Sequence, residues 1–276
     1  MVMSEEKLIR KEILKNHSVH FLGVRVDNIS KDTAINFIYD FIKEKEERLT
    51  RKIFFTNVHT IHLAKKDKRF RDIVNNADLC LPDGSGLKIA GKIFSTPVIE
   101  NLNGTDFTPI ILNHAQKEGW KIYLLGARQN ILIKCAAKIE DTYQNINIVG
   151  LHSGFFKPDD MPSIIRDIKD SSPDILLVAM GSPIQEIFID YAAKHLDNVV
   201  CLAVGGLFDF ISGDKKRAPE VIRKLGLEWV FRFFNDPKTK WDRIFIEIPN
   251  FLVSVLISRY FTHSNSNSIK TKLSYR

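Results

Sequence analysis

The sequence predicts an α/β fold, a mainly parallel, Rossmann-like sheet with helices on both faces, followed by a helical C-terminal appendage. Three observations carry this expectation. Short apolar runs alternate with segments of helical period over the first 215 or so residues. Several runs are continuously apolar, as in Ile175-Leu-Leu-Val-Ala179, which is how strands buried on both faces read. After about residue 216 the strand-like runs cease, and Arg217–Tyr260 reads as consecutive helices rich in Trp, Phe, Lys and Arg.

Taken in order, strands are expected at His20–Val26, Lys52–Thr56, Asp78–Leu81, Lys121–Gly126, Asn145–Val149, Asp174–Met180 and Asn198–Val204. The first intervening helix shows its stripe in Ile35, Ile38, Phe41 and Ile42, with Ser30 or Asp32 as its N-cap. In the appendage, Ile244–Ile257 is the most apolar stretch, interrupted by Glu247 and Pro249. At roughly 14 residues it falls short of the ~20 needed to span a bilayer. An aromatic, cationic helical module of this kind suits a helix lying in a membrane interface. A helical cap packed on the core is the other reading, and the two are compatible. The polar run from Thr262 to Ser268 is expected to lack fixed structure. The chain thus divides into 1–215, an α/β domain that would carry the chemistry, 216–261, the appendage, and 262–276, a disordered tail.

A chain of 276 residues with 44% hydrophobic and 26% charged residues has the makings of a substantial core. Cys80, Cys135 and Cys201 lie far apart in apolar runs, which points to buried thiols in a reducing compartment rather than disulfides or a zinc site. The N-terminal residues lack the apolar stretch of a secretory signal. The formal charge of +7 is uneven: from Lys215 onward the net is +8, and the preceding residues sit near −1. A basic terminal module implies an anionic partner, whether nucleic acid, anionic lipid or a pyrophosphate. No recognisable nucleic-acid module occurs, so that partner class is not expected.

Ligands of open parallel sheets bind beyond the carboxyl ends of the strands. Glycine and polar residues gather there, in Leu81-Pro-Asp-Gly-Ser-Gly86, Gly126-Ala-Arg128, Met180-Gly-Ser-Pro-Ile-Gln-Glu186 and Val204-Gly-Gly-Leu-Phe-Asp209. Each alone reads equally as a turn. Together they would expose backbone N–H groups suited to phosphate. The chain has no GxGxxG after its first strand, no GxxxxGK[ST], no Asp-x-Asp and no Gly-x-Ser-x-Gly. Carboxylates are left as acid–base machinery, and Asp83 is the best placed of them, as base or merely as turn-former.

Read together, these segments resemble the WecG/TagA/CpsF family of bacterial glycosyltransferases, from about Phe21 to about Phe251. The anchors are Asn57, Ala77–Gly86, Gly104-Thr-Asp106, Leu124-Leu-Gly126, Gly154-Phe155, Gly181–Glu186, Gly205–Phe210, Ser212-Gly213, Arg217-Ala-Pro219 and Leu227–Arg232. The resemblance implies inverting, metal- and cofactor-independent transfer of a sugar, N-acetylmannosamine as the leading donor. The donor would be a UDP-sugar and the acceptor an undecaprenyl-diphosphate-linked sugar. It implies Asp83 as general base, with Asn57 and Gln185 orienting sugar or diphosphate groups. Gly181, Gly205 and Gly206 would admit the nucleotide, and Arg232 and Arg243 would reach the diphosphate. Thr56, Gly104, Asp106, Gly126, Glu186 and Arg217 complete the expected substrate-binding set. The resemblance also implies peripheral attachment to the inner face of the cytoplasmic membrane, with a homo-oligomer as one way to shelter the appendage. Phe55, Asn101, Thr239 and Asp242 depart from the family pattern, which leaves a non-catalytic or altered-specificity member as the alternative.

Overall fold

The computed structural model describes residues 5–44 and 49–273, with side chains from residue 7 to 261 except those of 45–48, Lys224, Thr239 and Lys240. Helix α1 (Glu5–His17) leads into an antiparallel hairpin of β1 (Ser18–Phe21) and β2 (Val24–Asp27). Then follow α2 (Lys31–Lys43), β3 (Arg51–Thr56), α3 (Val58–Lys66), α4 (Lys68–Asn75), β4 (Leu79–Pro82), α5 (Ser85–Ile93) and α6 (Gly104–Glu118). The second half of the domain runs β5 (Lys121–Gly126), α7 (Gln129–Thr142), β6 (Asn147–His152), α8 (Met161–Ser171), β7 (Ile175–Ala179), α9 (Ile184–Ala192), β8 (Val200–Ala203) and α10 (Leu207–Ser212). The six strands from β3 onward form one parallel sheet in the order β4-β3-β8-β7-β5-β6.

The two-residue period of the strands splits the core into two layers. Ile53 and Phe55 of β3 and Leu79 and Leu81 of β4 pack with α2, α6 and α7 on one face. Phe54 and Cys80 point the other way, against α3, α4, α8 and α9. Both faces are therefore covered, and Ile175–Val178 are wholly buried, as the unbroken apolar run predicted. Of the two caps offered for α2, Ser30 is the one, its hydroxyl accepting from the Thr33 N–H at 3.2 Å. All three cysteines are buried free thiols.

Two expectations are corrected. His20–Val26 is not one strand: Leu22 and Gly23 both adopt positive φ, +53° and +85°, and form the two-residue turn of the β1–β2 hairpin. That hairpin stays outside the large sheet and docks beside β4, where the buried Asp27 carboxylate accepts the Cys80 N–H at 2.7 Å. Nor is the apolar helical stretch of the appendage confined to Ile244–Ile257. The appendage comprises α11 (Glu220–Lys224), α12 (Glu228–Asn235), α13 (Pro237–Asp242), a π-helical turn (Arg243–Glu247) and α14 (Ile248–Leu273). Pro249 lies inside this run of helical turns, directly after the π-helical turn. Arg243–Phe261 thereby becomes a continuous stretch of 19 residues, long and apolar enough to cross a membrane by length and composition. One side of it is already occupied. Phe251 and Val255 are buried in the second core layer, each contributing roughly 1.5–3 kcal/mol by leaving water. The tail expected to be disordered falls partly on α14, without described side chains, and partly outside the described residues.

Candidate active site

The strand order places the site. Adjacent strands β5 and β7 send their connections in opposite directions, to β6 and to β8. A crevice must open between their carboxyl ends. It holds a cavity of about 1250 Å³ whose wall includes Ala127, Arg128, Gly154, Phe155, Met180 and Gly181. A second cavity, of about 700 Å³, lies over β3, β4 and β8 and is walled by Phe55, Asn57, His59, Asp83, Arg232 and Arg243. Gly181, Gly205, Gly206, Asp209, Asp214 and Lys215 line both. The two are compartments of one cleft.

Asp83 sits just past β4. Its N–H continues the ladder onto the Thr56 carbonyl at 2.8 Å, and its carboxylate Oδ2 accepts the Asn57 Nδ2–H at 2.9 Å. Asn57 is itself fixed, because its Oδ1 caps α3 by accepting the Thr60 N–H at 3.1 Å. The same Oδ1 accepts from Arg243 at 3.3 Å. Gly84, at φ +95°, donates its N–H to Asn101 Oδ1 at 2.6 Å. Asn101 thus fastens the loop that carries Asp83. Burial holds the Asp83 carboxyl above the ordinary carboxylate range, against the opposing Asn57 hydrogen bond and the charges of Arg232 and Arg243; Glu228 adds to the rise. Burial likewise lowers Arg243.

Of the remaining expected residues, Gly104, Gly181, Gly205, Gly206, Arg232 and Arg243 line the cleft. Arg232 stacks over Phe210 at 5.0 Å and pairs with Glu228 at 2.5 Å. Gln185 also reaches the wall, but its Oε1 accepts the N–H groups of Gly205 at 2.9 Å and Gly181 at 3.2 Å. Its Nε2 donates to Glu186 at 2.9 Å. Gln185 therefore ties the β7 and β8 loops together at the junction of the two compartments. Others stand back from the cavity walls. Thr56 and Glu186 are buried behind them, and burial raises the Glu186 carboxyl. Gly126, at φ +144°, lies against β7, where a Cβ would come within 2.4 Å of the Ala179 carbonyl oxygen. Asp106 pairs with Arg217 at 2.6 Å and Arg223 at 3.1 Å, joining the start of α6 to the start of the appendage. Burial raises the Asp106 carboxyl, yet hydrogen bonds from Asn103 and Arg217 outweigh it and the net shift is downward.

Sequence reasoning passed over His59, Phe155 as a cavity residue, and Lys215. His59 Nδ1–H donates to the buried Glu247 carboxylate, at 2.8 and 3.0 Å to its two oxygens. No spacing rule marks a pairing 188 residues apart in sequence. Phe155 is exposed at the mouth of the larger compartment with Arg128 over its ring at 5.9 Å. Lys215, at the shared rim, pairs with Asp209 at 2.6 Å.

A doubly wound α/β sheet, a glycine-lined cleft at its switch point and a partly buried carboxylate facing two arginines are the makings of a group-transferring enzyme acting on a nucleotide-linked substrate. The chain belongs to the family described as Glycosyl transferase WecG/TagA/CpsF family, which matches residues 19–265. It is a glycosyltransferase of the hexosyl-transferring kind. Two relatives named N-acetylglucosaminyldiphosphoundecaprenol N-acetyl-beta-D-mannosaminyltransferase are similar to it. The one from Bacillus subtilis is 30% identical over 211 residues, covering 76% of this chain and 81% of the relative. The one from Bacillus spizizenii is 30% identical over 193 residues, covering 70% and 74%.

Proposed function

We propose that this chain transfers N-acetyl-β-D-mannosamine from a UDP donor to N-acetylglucosaminyl-diphosphoundecaprenol, with inversion at the anomeric carbon. The observation that carries the reading is Asp83: a carboxylate of raised proton affinity, oriented by Asn57, in a compartment that joins the switch-point cleft. The names of the two relatives supply the sugars.

In the transfer, the acceptor hydroxyl oxygen attacks the anomeric carbon of the donor and its proton passes to Asp83. The bond from that carbon to the diphosphate oxygen breaks, and UDP leaves with the bonding pair. The nucleoside would occupy the larger compartment beside Arg128 and Phe155. The diphosphate would lie at the shared rim, where glycine backbone permits close approach. Arg232 and Arg243 would stabilise the charge that develops on the leaving diphosphate, and their planar donors suit phosphate oxygens. Residues 1–215 would supply the catalytic framework and 216–261 the lid over it.

The acceptor is anchored in a bilayer, so the cleft must meet one. Phe234, Trp241, Phe245, Leu256, Ile257, Tyr260 and Phe261 are exposed on the appendage. An apolar surface of that extent within a strongly basic segment suits peripheral docking on an anionic inner leaflet. With Phe251 and Val255 held in the core, α14 would lie in the interface instead of crossing it.

The test is UDP release from a panel of UDP-sugars with a lipid-diphosphate-linked GlcNAc acceptor. Acceptor-dependent release from UDP-N-acetylmannosamine is expected. Release from another donor would redefine the specificity, and silence beside an active control enzyme would favour a non-catalytic, sugar-nucleotide-binding role.

A further inference from the structure

The turn Arg243–Glu247 is π-helical, the only such segment among the described residues. Single π turns are rare and recur at functional sites. Here its two ends grip the same short stretch of the catalytic domain. Arg243, its first residue, reaches Asn57 Oδ1 at 3.3 Å. Glu247, its last, accepts from His59 Nδ1 at 2.8 Å. Asn57 is the N-cap of α3 and His59 lies in its first turn. Both belong to the cavity wall that holds Asp83.

The chemistry of the grip is specific. Glu247 is 7% exposed, and a buried carboxylate without its donor is costly. Its carboxyl is held below the ordinary range because the His59 hydrogen bond and charge, with lesser help from His62 and Arg243, outweigh the effect of burial. The carboxylate is therefore the acceptor, and Nδ1 of His59 carries the proton. Arg243 has a longer, weaker contact of its own, and burial works against its charge. It needs a second attachment to stay in place.

We propose that His59 is a positioning residue for sugar transfer: by holding Glu247 it fixes the π-helical turn so that Arg243 stays at the Asn57–Asp83 pair. The proposal rests on the reading of Asp83 as the base. His59 takes no proton from substrate. Its effect falls mainly on the step that develops charge on the leaving diphosphate, and donor affinity, to which the larger compartment also contributes, changes less.

The full-length chain is compared with His59→Ala, Glu247→Ala, the double variant and His59→Asn, which returns an amide donor near the Nδ1 position. The expected result is a fall in kcat of about ten- to a hundred-fold in each alanine variant, the scale of a small misplacement near a reacting centre. The double variant falls no further than the singles, since both remove one contact. His59→Asn recovers most of the loss, and UDP affinity falls by far less than kcat throughout. Amide hydrogen exchange over residues 243–247 rises in His59→Ala and not in His59→Asn. Wild-type turnover in His59→Ala, multiplying losses in the double variant, or UDP affinity falling in step with kcat would each overturn the proposal. Exchange reads the latch without turnover. An inactive wild-type chain would sink the transferase reading alone, whereas unchanged exchange in His59→Ala would sink the latch.

Discussion

Asp83 holds a proton more tightly than a solvated aspartate because burial outweighs the Asn57 hydrogen bond and two arginines. As the proposed base it must be ionised to work. Activity should therefore fall as pH falls, with the inflection of kcat/KM above the ordinary aspartate value of about 3.9. For stability the same raised value has the opposite sense. The contribution is fully present below the unfolded-state value and disappears as pH rises through the folded one. Asn57 links the two effects. Replacing it with Ala removes a donor that favours the ionised form, so the acid limb of the pH–rate profile should move to higher pH. It also removes the N-cap of α3, at about 1 kcal/mol. A calorimetric melt and a pH–rate profile on Asn57→Ala check both; an unmoved acid limb would detach Asn57 from Asp83. At this scale the sequence was partly legible. Asp83 could be singled out because its strand-end position is visible in Leu81-Pro-Asp-Gly. Gln185 could be placed but not given its task, since its partners are backbone amides of Gly181 and Gly205 on two different loops. His59 carried no local signal at all.

Among the elements, the parallel strands were readable because each is buried on both faces and so almost wholly apolar. The β1–β2 hairpin was missed because Gly23 lies inside an otherwise uniform strand-like run, and a glycine there also reads as a bulge. The length of the apolar run from Arg243 into α14 was underestimated because Glu247 and Pro249 were read as interrupting it, while the structure keeps both within successive helical turns. The junction between domain and appendage rests on Asp106, paired to Arg217 and Arg223. All three are partly exposed, so Asp106→Asn should cost no more than about 1 kcal/mol of stability. It should nonetheless loosen the connector, and trypsin should cleave after Arg217 or Arg223 sooner than in the wild-type chain. Equal cleavage rates would mean that other contacts hold this segment.

For the whole molecule, charge and apolar surface are segregated together. The basic excess lies beyond Lys215, and so do most of the large apolar side chains with high exposure, Phe234 at 77% and Tyr260 at 73% among them. Composition showed the charge; only the fold shows that Phe251 and Val255 face inward while Leu256 and Tyr260 face outward. Leu256→Glu with Tyr260→Glu should keep the melting temperature and lose most co-sedimentation with anionic vesicles, because both side chains are exposed and acidic groups are repelled by the leaflet. Wild-type binding should weaken as salt is raised, since exposed charges are screened. Undiminished sedimentation of the double variant would place the docking surface elsewhere.

The central claim, that Asp83 takes the proton of the acceptor hydroxyl in a cleft that binds UDP independently, is tested most directly by Asp83→Asn. Acceptor-dependent UDP release and UDP affinity would be measured on the same preparation. The account predicts that release falls by at least about a hundred-fold, within the usual contribution of a general base, while UDP binds as it does to the wild-type chain. Release at the wild-type rate would contradict it and remove Asp83 from the chemistry.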